Sequence, residues 1–107
     1  MCHCLACQKR TGSAFGIQAR WPSDRVTIEG HAQEYRRIGT EGGTLTFRFC
    51  PTCGATVYYD IDRMPGVTAV PVGAFADPTF PPPRFSVYAA RRHPWAIMPN
   101  LGAEELD

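Results

Sequence analysis

Thr44-Leu45-Thr46-Phe47-Arg48-Phe49 alternates at every step, with Leu45, Phe47 and Phe49 on one side and Thr44, Thr46 and Arg48 on the other. Successive side chains of an extended chain point to opposite faces, so a period of two predicts a half-buried β-strand. Working outward, Glu34 to Ile38 reads as the preceding strand, across a turn containing Gly39, Gly42 and Gly43. Thr56 to Ile61 alternates again, and Val67 to Val72 is a β-branched stretch interrupted by Pro71. Ala14 to Trp21 looks extended as far as Pro22, and Val26 to Glu29 is a short alternating run stopped by Gly30. After the stiff connector Pro81-Pro82-Pro83, Phe85, Val87 and Ala89 alternate as a last strand. No window holds a 3.6-residue apolar period over ten residues, and Pro22-Ser23-Asp24 starts one helical turn at most. Phe47, Phe49, Tyr58, Val70 and Val87 are the expected core. Ala96 to Leu101 reads as irregular, and Glu104, Glu105 and Asp107 as a frayed end. The expected fold class is all-β, in a single domain over residues 1–107.

Composition narrows the function. The chain has 107 residues, 44% hydrophobic and 20% charged, which is ordinary globular usage and excludes long-range disorder. Ten glycines and ten prolines favour turns over long helices. A formal net charge of +1 lacks the electrostatic footprint of a dedicated nucleic-acid binder. No apolar run approaches the roughly 20 residues that cross a bilayer, and no charged-then-apolar leader opens the chain. The expectation is a cytoplasmic protein with neither membrane nor nucleic acid as partner.

The five cysteines point to metal. Their number is odd, and Cys2, Cys4 and Cys7 crowd too closely for relaxed disulfides among themselves. Thiols clustered in a reducing compartment read as ligands. A structural Zn²⁺ adds about 10–16 kcal/mol, as much as the net stability of a typical domain at about 5–15 kcal/mol.

Two clusters carry that chemistry. In Cys2-His3-Cys4-Leu5-Ala6-Cys7, residues two apart share a face, and a tight turn after Cys4 returns Cys7 to the same point. Three thiolates around Zn²⁺ leave the fourth tetrahedral position for water or a substrate atom, the layout of a catalytic site. Cys50-Pro51-Thr52-Cys53-Gly54, at the end of the strongest strand, reads as a zinc knuckle whose glycine permits a shape other residues resist. The spacing leaves a rival open: Cys4, Cys7, Cys50 and Cys53 could form one closed four-thiolate ribbon with Cys2 spare.

Cys2-His3-Cys4-Leu5-Ala6-Cys7-Gln8-Lys9-Arg10-Thr11-Gly12-Ser13-Ala14-Phe15-Gly16 closely resembles the signature of the glutathione-dependent formaldehyde-activating enzyme family. Arg48-Phe49-Cys50-Pro51-Thr52-Cys53-Gly54-Ala55 resembles its second motif, and Gly73-Ala74-Phe75, Asp77-Pro78 and Pro94-Trp95 are similar to weaker landmarks. The resemblance implies a β-tent fold of antiparallel sheets with zinc knuckles. It implies a catalytic-type zinc on Cys2, Cys4 and Cys7 that meets the sulfur of glutathione. It also implies a carbon–sulfur lyase activity that forms S-hydroxymethylglutathione from glutathione and formaldehyde. In the family, the pair matching Cys50 and Cys53 joins an upstream C-x-C pair in a structural site. No such pair precedes Cys2, so the resemblance implies a chain truncated at its N-terminus relative to the family. The alternative function is a non-catalytic zinc module that carries glutathione or binds a protein partner.

Other residues have plainer readings. His3, between two ligands, is expected to face away from them, and His31 to be exposed; His93 is the better candidate for a site role. Asp60 and Asp62 read as an exposed polar edge rather than an acid/base pair. Ten of the eleven basic residues are arginine, and Arg10, Arg48, Arg91 or Arg92 could fork onto the carboxylates of glutathione. Trp95 either walls a pocket or anchors the last segment.

Overall fold

Five strands between Gln18 and Ala76 form one antiparallel sheet: β1 (Gln18–Pro22), β2 (Gln33–Ile38), β3 (Thr44–Phe49), β4 (Thr56–Ile61) and β5 (Val67–Pro71), in the order β1-β5-β4-β3-β2. The computed structural model describes residues 1–97 and 104–106. It divides into two compact units, Gln18–Ala76 and the pair of segments Met1–Ile17 and Asp77–Asp107.

The alternation of β3 decides the core of the sheet. Phe47 lies opposite Tyr59 on β4, and Tyr59 opposite Ala69 on β5. These three are buried, with Leu45 and Ile61 packed against them. The Phe47 and Tyr59 rings stand 4.7 Å apart, and the Arg37 guanidinium covers the Phe47 ring at 5.4 Å.

The opposite face of β3 is not bare. Thr46 is buried, and Arg48 lies over the Tyr58 ring at 5.2 Å. Arg48 also pairs with Asp60, and with Glu34 at 3.6 Å. Tyr58 therefore belongs to this polar face and is half-buried, as are Phe49, Val70 and Val87; of the five expected core residues only Phe47 is fully enclosed. Nor do Asp60 and Asp62 form an edge. β4 is the middle strand, Asp60 holds Arg48, and Asp62 accepts the Thr44 backbone N–H at 3.0 Å. Val26–Glu29 is not a strand; with Ile28 half-exposed it has no buried face to pair over, and only the 3₁₀ turn Ser23–Arg25 precedes it.

The second unit contains α1 (Leu5–Thr11), β6 (Phe85–Val87) and β7 (Glu104–Leu106). β6 and β7 pair in parallel. Residues 1–3 run along β6, with His3 N donating to Val87 O at 3.0 Å and Val87 N to Met1 O at 3.0 Å. Backbone groups of successive residues point to opposite sides of a strand, and Cys2 accordingly exchanges both its bonds with Gly16, at 2.7 and 2.9 Å. Ala89 departs from the expected strand into a 3₁₀ turn, Ala89–Arg91. Glu104 and Glu105 do not fray: they lie in β7, Glu104 N donates to Arg84 O, and Glu105 pairs with Arg92. The readings for Met98–Leu101 and Asp107 lie outside the described residues. Among the described residues no helix is long and apolar enough to cross a membrane.

Candidate metal centre

The three early cysteines are assembled by one strand and one short helix. Cys2 sits in the strand pairing of residues 1–3. Cys4 is extended (φ −61°, ψ 151°) and caps α1, its Sγ accepting the Cys7 backbone N–H at 3.3 Å. A cap three residues before Cys7 places both sulfurs on one side of the first turn. The helix stops at Gly12, whose left-handed φ of 67° suits a residue without Cβ, and Gly12 N closes on Gln8 O.

All three thiols are buried, and their Sγ atoms lie within 4.8 Å of one another. Sulfurs bound at about 2.3 Å to one tetrahedral ion stand about 3.8 Å apart, so the arrangement needs only slight contraction to fit one. Cys2 therefore stands in one group with Cys4 and Cys7. No fourth His, Cys, Asp or Glu completes the group among the described residues.

The thiols are not equivalent. Hydrogen bonding from Cys2 pulls the Cys7 thiol down to about 5 against the opposing effect of burial; Cys4 and the Arg10 guanidinium add to it. Cys2 is pushed up, first because it keeps the proton it shares with Cys7 and then by burial. Gly16 makes room here: a Cβ on it would stand 3.3 Å from Arg10 Nη2 and 3.5 Å from the Cys7 Cβ.

His3 faces away from the sulfurs and is fully buried. Its Nε2 is 3.0 Å from Ser86 Oγ, its ring meets Phe15 edge-on, and burial, reinforced by Arg92, holds its pKa down. His93 is half-buried and bonded to Gln8 at 2.9 Å. Gln8 had no distinguishing pattern in the sequence, since its partners lie on backbone atoms and on a residue 85 positions away. Trp95 is 71% exposed against His93, which excludes the buried-anchor reading. His31 is exposed. Of the candidate arginines, Arg10 stands by Cys7, Arg48 is engaged by Asp60 and Glu34, Arg92 by Glu105, and Arg91 is exposed.

Cys50 and Cys53 lie in the other unit, in a turn closed by Gly54 N donating to Cys50 O at 2.8 Å and Cys50 N to Ala55 O at 2.9 Å. Gly54 takes φ 79°, the left-handed shape its position in the motif requires. Backbone N–H groups of Cys53 and Thr52 aim at the Cys50 sulfur and pull its pKa down. Cys50 is half-buried and Cys53 exposed, and all five cysteines are free thiols.

Fold and cluster together define a small, mostly antiparallel β-protein with one short helix and a cysteine-only centre able to hold a metal ion. The model of the family described as "Glutathione-dependent formaldehyde-activating enzyme" matches residues 1–91. The chain belongs to that family.

Proposed function

We propose that Cys2, Cys4 and Cys7 hold a Zn²⁺ whose fourth position receives the sulfur of glutathione, and that the protein joins this thiol to a small aldehyde as a carbon–sulfur lyase working in the forming direction. The supporting observation is the cluster itself: three buried thiols converge, with no fourth ligand among the described residues. Bound there, zinc would lower the pKa of a coordinated thiol and polarise a carbonyl. The chain's own residues prepare that chemistry. The Cys7 N–H holds Cys4 Sγ, burial excludes water, and the Arg10 guanidinium offsets negative charge at Cys7. In the same reading Cys50 and Cys53 hold a structural metal with ligands from elsewhere, and the protein works in the cytoplasm, where thiols stay reduced.

Cobalt substitution tests the reading. Thiolate-to-cobalt absorption should change when glutathione adds a fourth sulfur, and binding should release a proton near neutral pH. Cys7→Ser should weaken metal retention and abolish the change. An unaltered spectrum, with Cys2→Ser silent, would assign the chain to the non-catalytic zinc modules.

A further inference from the structure

β2 is the strand of the larger sheet that is least covered. It closes the sheet on one side, with β3 its only sheet neighbour among the described residues. Gln33, Glu34, Tyr35, Arg36 and Ile38 are exposed, and Arg37 is half-buried. β1, at the other edge, is mostly half-buried and ends at Pro22. The ladder shows which backbone groups of β2 are left over. Thr44 N donates to the Asp62 carboxylate and Thr44 O accepts from Asp62 N, both at 3.0 Å, so Thr44 faces β4 and not β2. One step further along the β2–β3 register, Gly39 N donates to Gly43 O at 2.6 Å. Bonded pairs alternate along an antiparallel ladder, so Gln33, Tyr35 and Arg37 bond to β3. Glu34, Arg36 and Ile38 turn their N–H and C=O groups outward, to the open edge.

The side chains along that edge complement themselves. If a second copy pairs its β2 antiparallel to this one, about a two-fold axis normal to the sheet, side chains on one face meet their counterparts on the same face. Only the register centred on Tyr35 sets opposite charges together: Glu34 faces Arg36 of the second copy, and Arg36 faces Glu34 of the second copy. Moving the axis to Glu34, Arg36 or Arg37 sets like charges face to face. In the Tyr35 register, Glu34 and Arg36 exchange the backbone groups that point outward, with Cα atoms about 5.5 Å apart. Tyr35 meets its own counterpart at the closer, non-bonded position, about 4.5 Å between Cα atoms. Within one chain the Arg36 guanidinium already reaches the Glu34 carboxylate at 3.2 Å, two residues along the strand, so these side chains can span the shorter gap across strands. Charges of one sign guard an edge against a second strand, whereas this alternation of sign selects another copy of itself.

We propose that β2 is a self-association edge, at which two copies of this chain pair antiparallel about Tyr35 and join their larger sheets into one. The paired segment runs only from Gln33 to Arg37, a small contact, so the dimer forms reversibly as concentration rises. Its exposed ion pairs make it weaken with salt.

The test follows the full chain by sedimentation, from about 1 µM to about 1 mM at low salt. The parent should pass from monomer to dimer. Glu34→Arg and Arg36→Glu each set like charges together in the homodimer, and each alone should raise the dissociation constant about tenfold or more. Mixed, the two variants restore both opposite pairs, and should form a heterodimer at close to the parent affinity. Amide exchange of the parent gives a second reading that needs no variant. Protection at Glu34 and Arg36 should rise with concentration, while Tyr35 and Arg37, bonded to β3, should be protected at every concentration. A chain that stays monomeric throughout, a dimer whose Glu34 and Arg36 amides exchange as in the monomer, or variants that mixing does not rescue would overturn the proposal.

Discussion

The two cysteine groups sit in contrasting surroundings. Cys50 and Cys53 close a turn at the end of a strand whose Phe47 already packs against Tyr59, so apolar burial organises their unit with or without thiol chemistry. Cys2, Cys4 and Cys7 form a buried cluster of their own in theirs, and among the described residues the partly buried hydrophobics packed against it are Ala6, Val87 and Tyr88. One unit centres on apolar side-chain volume, and the other on three thiols able to share a metal ion.

The comparison breaks most readily at the metal. If the proposed ion is bound there, stripping it with a chelator should remove a contribution on the order of 10 kcal/mol. Backbone exchange protection at Cys2, His3 and Val87 should collapse while that at Phe47 and Tyr59 survives. Equal loss in both would mean that the sheet depends on the ion too. Next in size is Phe47→Ala, expected to cost about 3–5 kcal/mol through the cavity it leaves. The cobalt–glutathione response should persist in that variant at low temperature; a parallel loss would show that the two units unfold as one. The other cysteine group is tested by the double replacement of Cys50 and Cys53 by serine. It should lower the melting temperature and leave glutathione affinity unchanged. If stability held while affinity vanished, the roles of the two groups would be reversed.

The smallest effect concerns Asp77. Its Oδ1 accepts from Thr79 N at 2.9 Å and Thr79 Oγ1 at 2.7 Å, and these bonds hold its carboxyl below the usual range. A depressed carboxyl contributes stability above its unfolded value and loses it as pH falls through the folded one. NMR titration should place Asp77 below a normal aspartate and return it toward normal in Thr79→Ala. No movement would detach this turn from the acid response.

β3 and β4 were legible because the buried Phe47 and Tyr59 lie within alternating runs, whereas β2, exposed along almost its whole length, was readable only from its place before the glycine turn. β7 was not, since Glu104, Glu105 and Leu106 are all exposed and nothing alternates. α1 escaped because Cys7 is its only buried residue and Leu5 is 62% exposed, leaving no apolar stripe. Its ends carried a signal after all, with Cys4 as cap and Gly12 as stop, but a thiol is an uncommon cap. The ligand cluster was readable from spacing. The Gln8–His93 bond was not, because it joins positions 85 apart through a residue type common on any surface.

The strand pairing of Cys2 with Val87 has a consequence for how the protein is made. The thiols leave the ribosome well before their surroundings, and the Val87 backbone that flanks Cys2 follows more than eighty residues later. Residues 33–71 can pair locally in the meantime, by short hairpins with little loop-closure cost. Until the Val87 segment follows, the nascent chain carries three uncovered thiols, and a metal ion captured early would bind an unfinished, more open cage. Orderly loading would favour a donor that gives up its ion slowly, after residues 85–93 have closed the site.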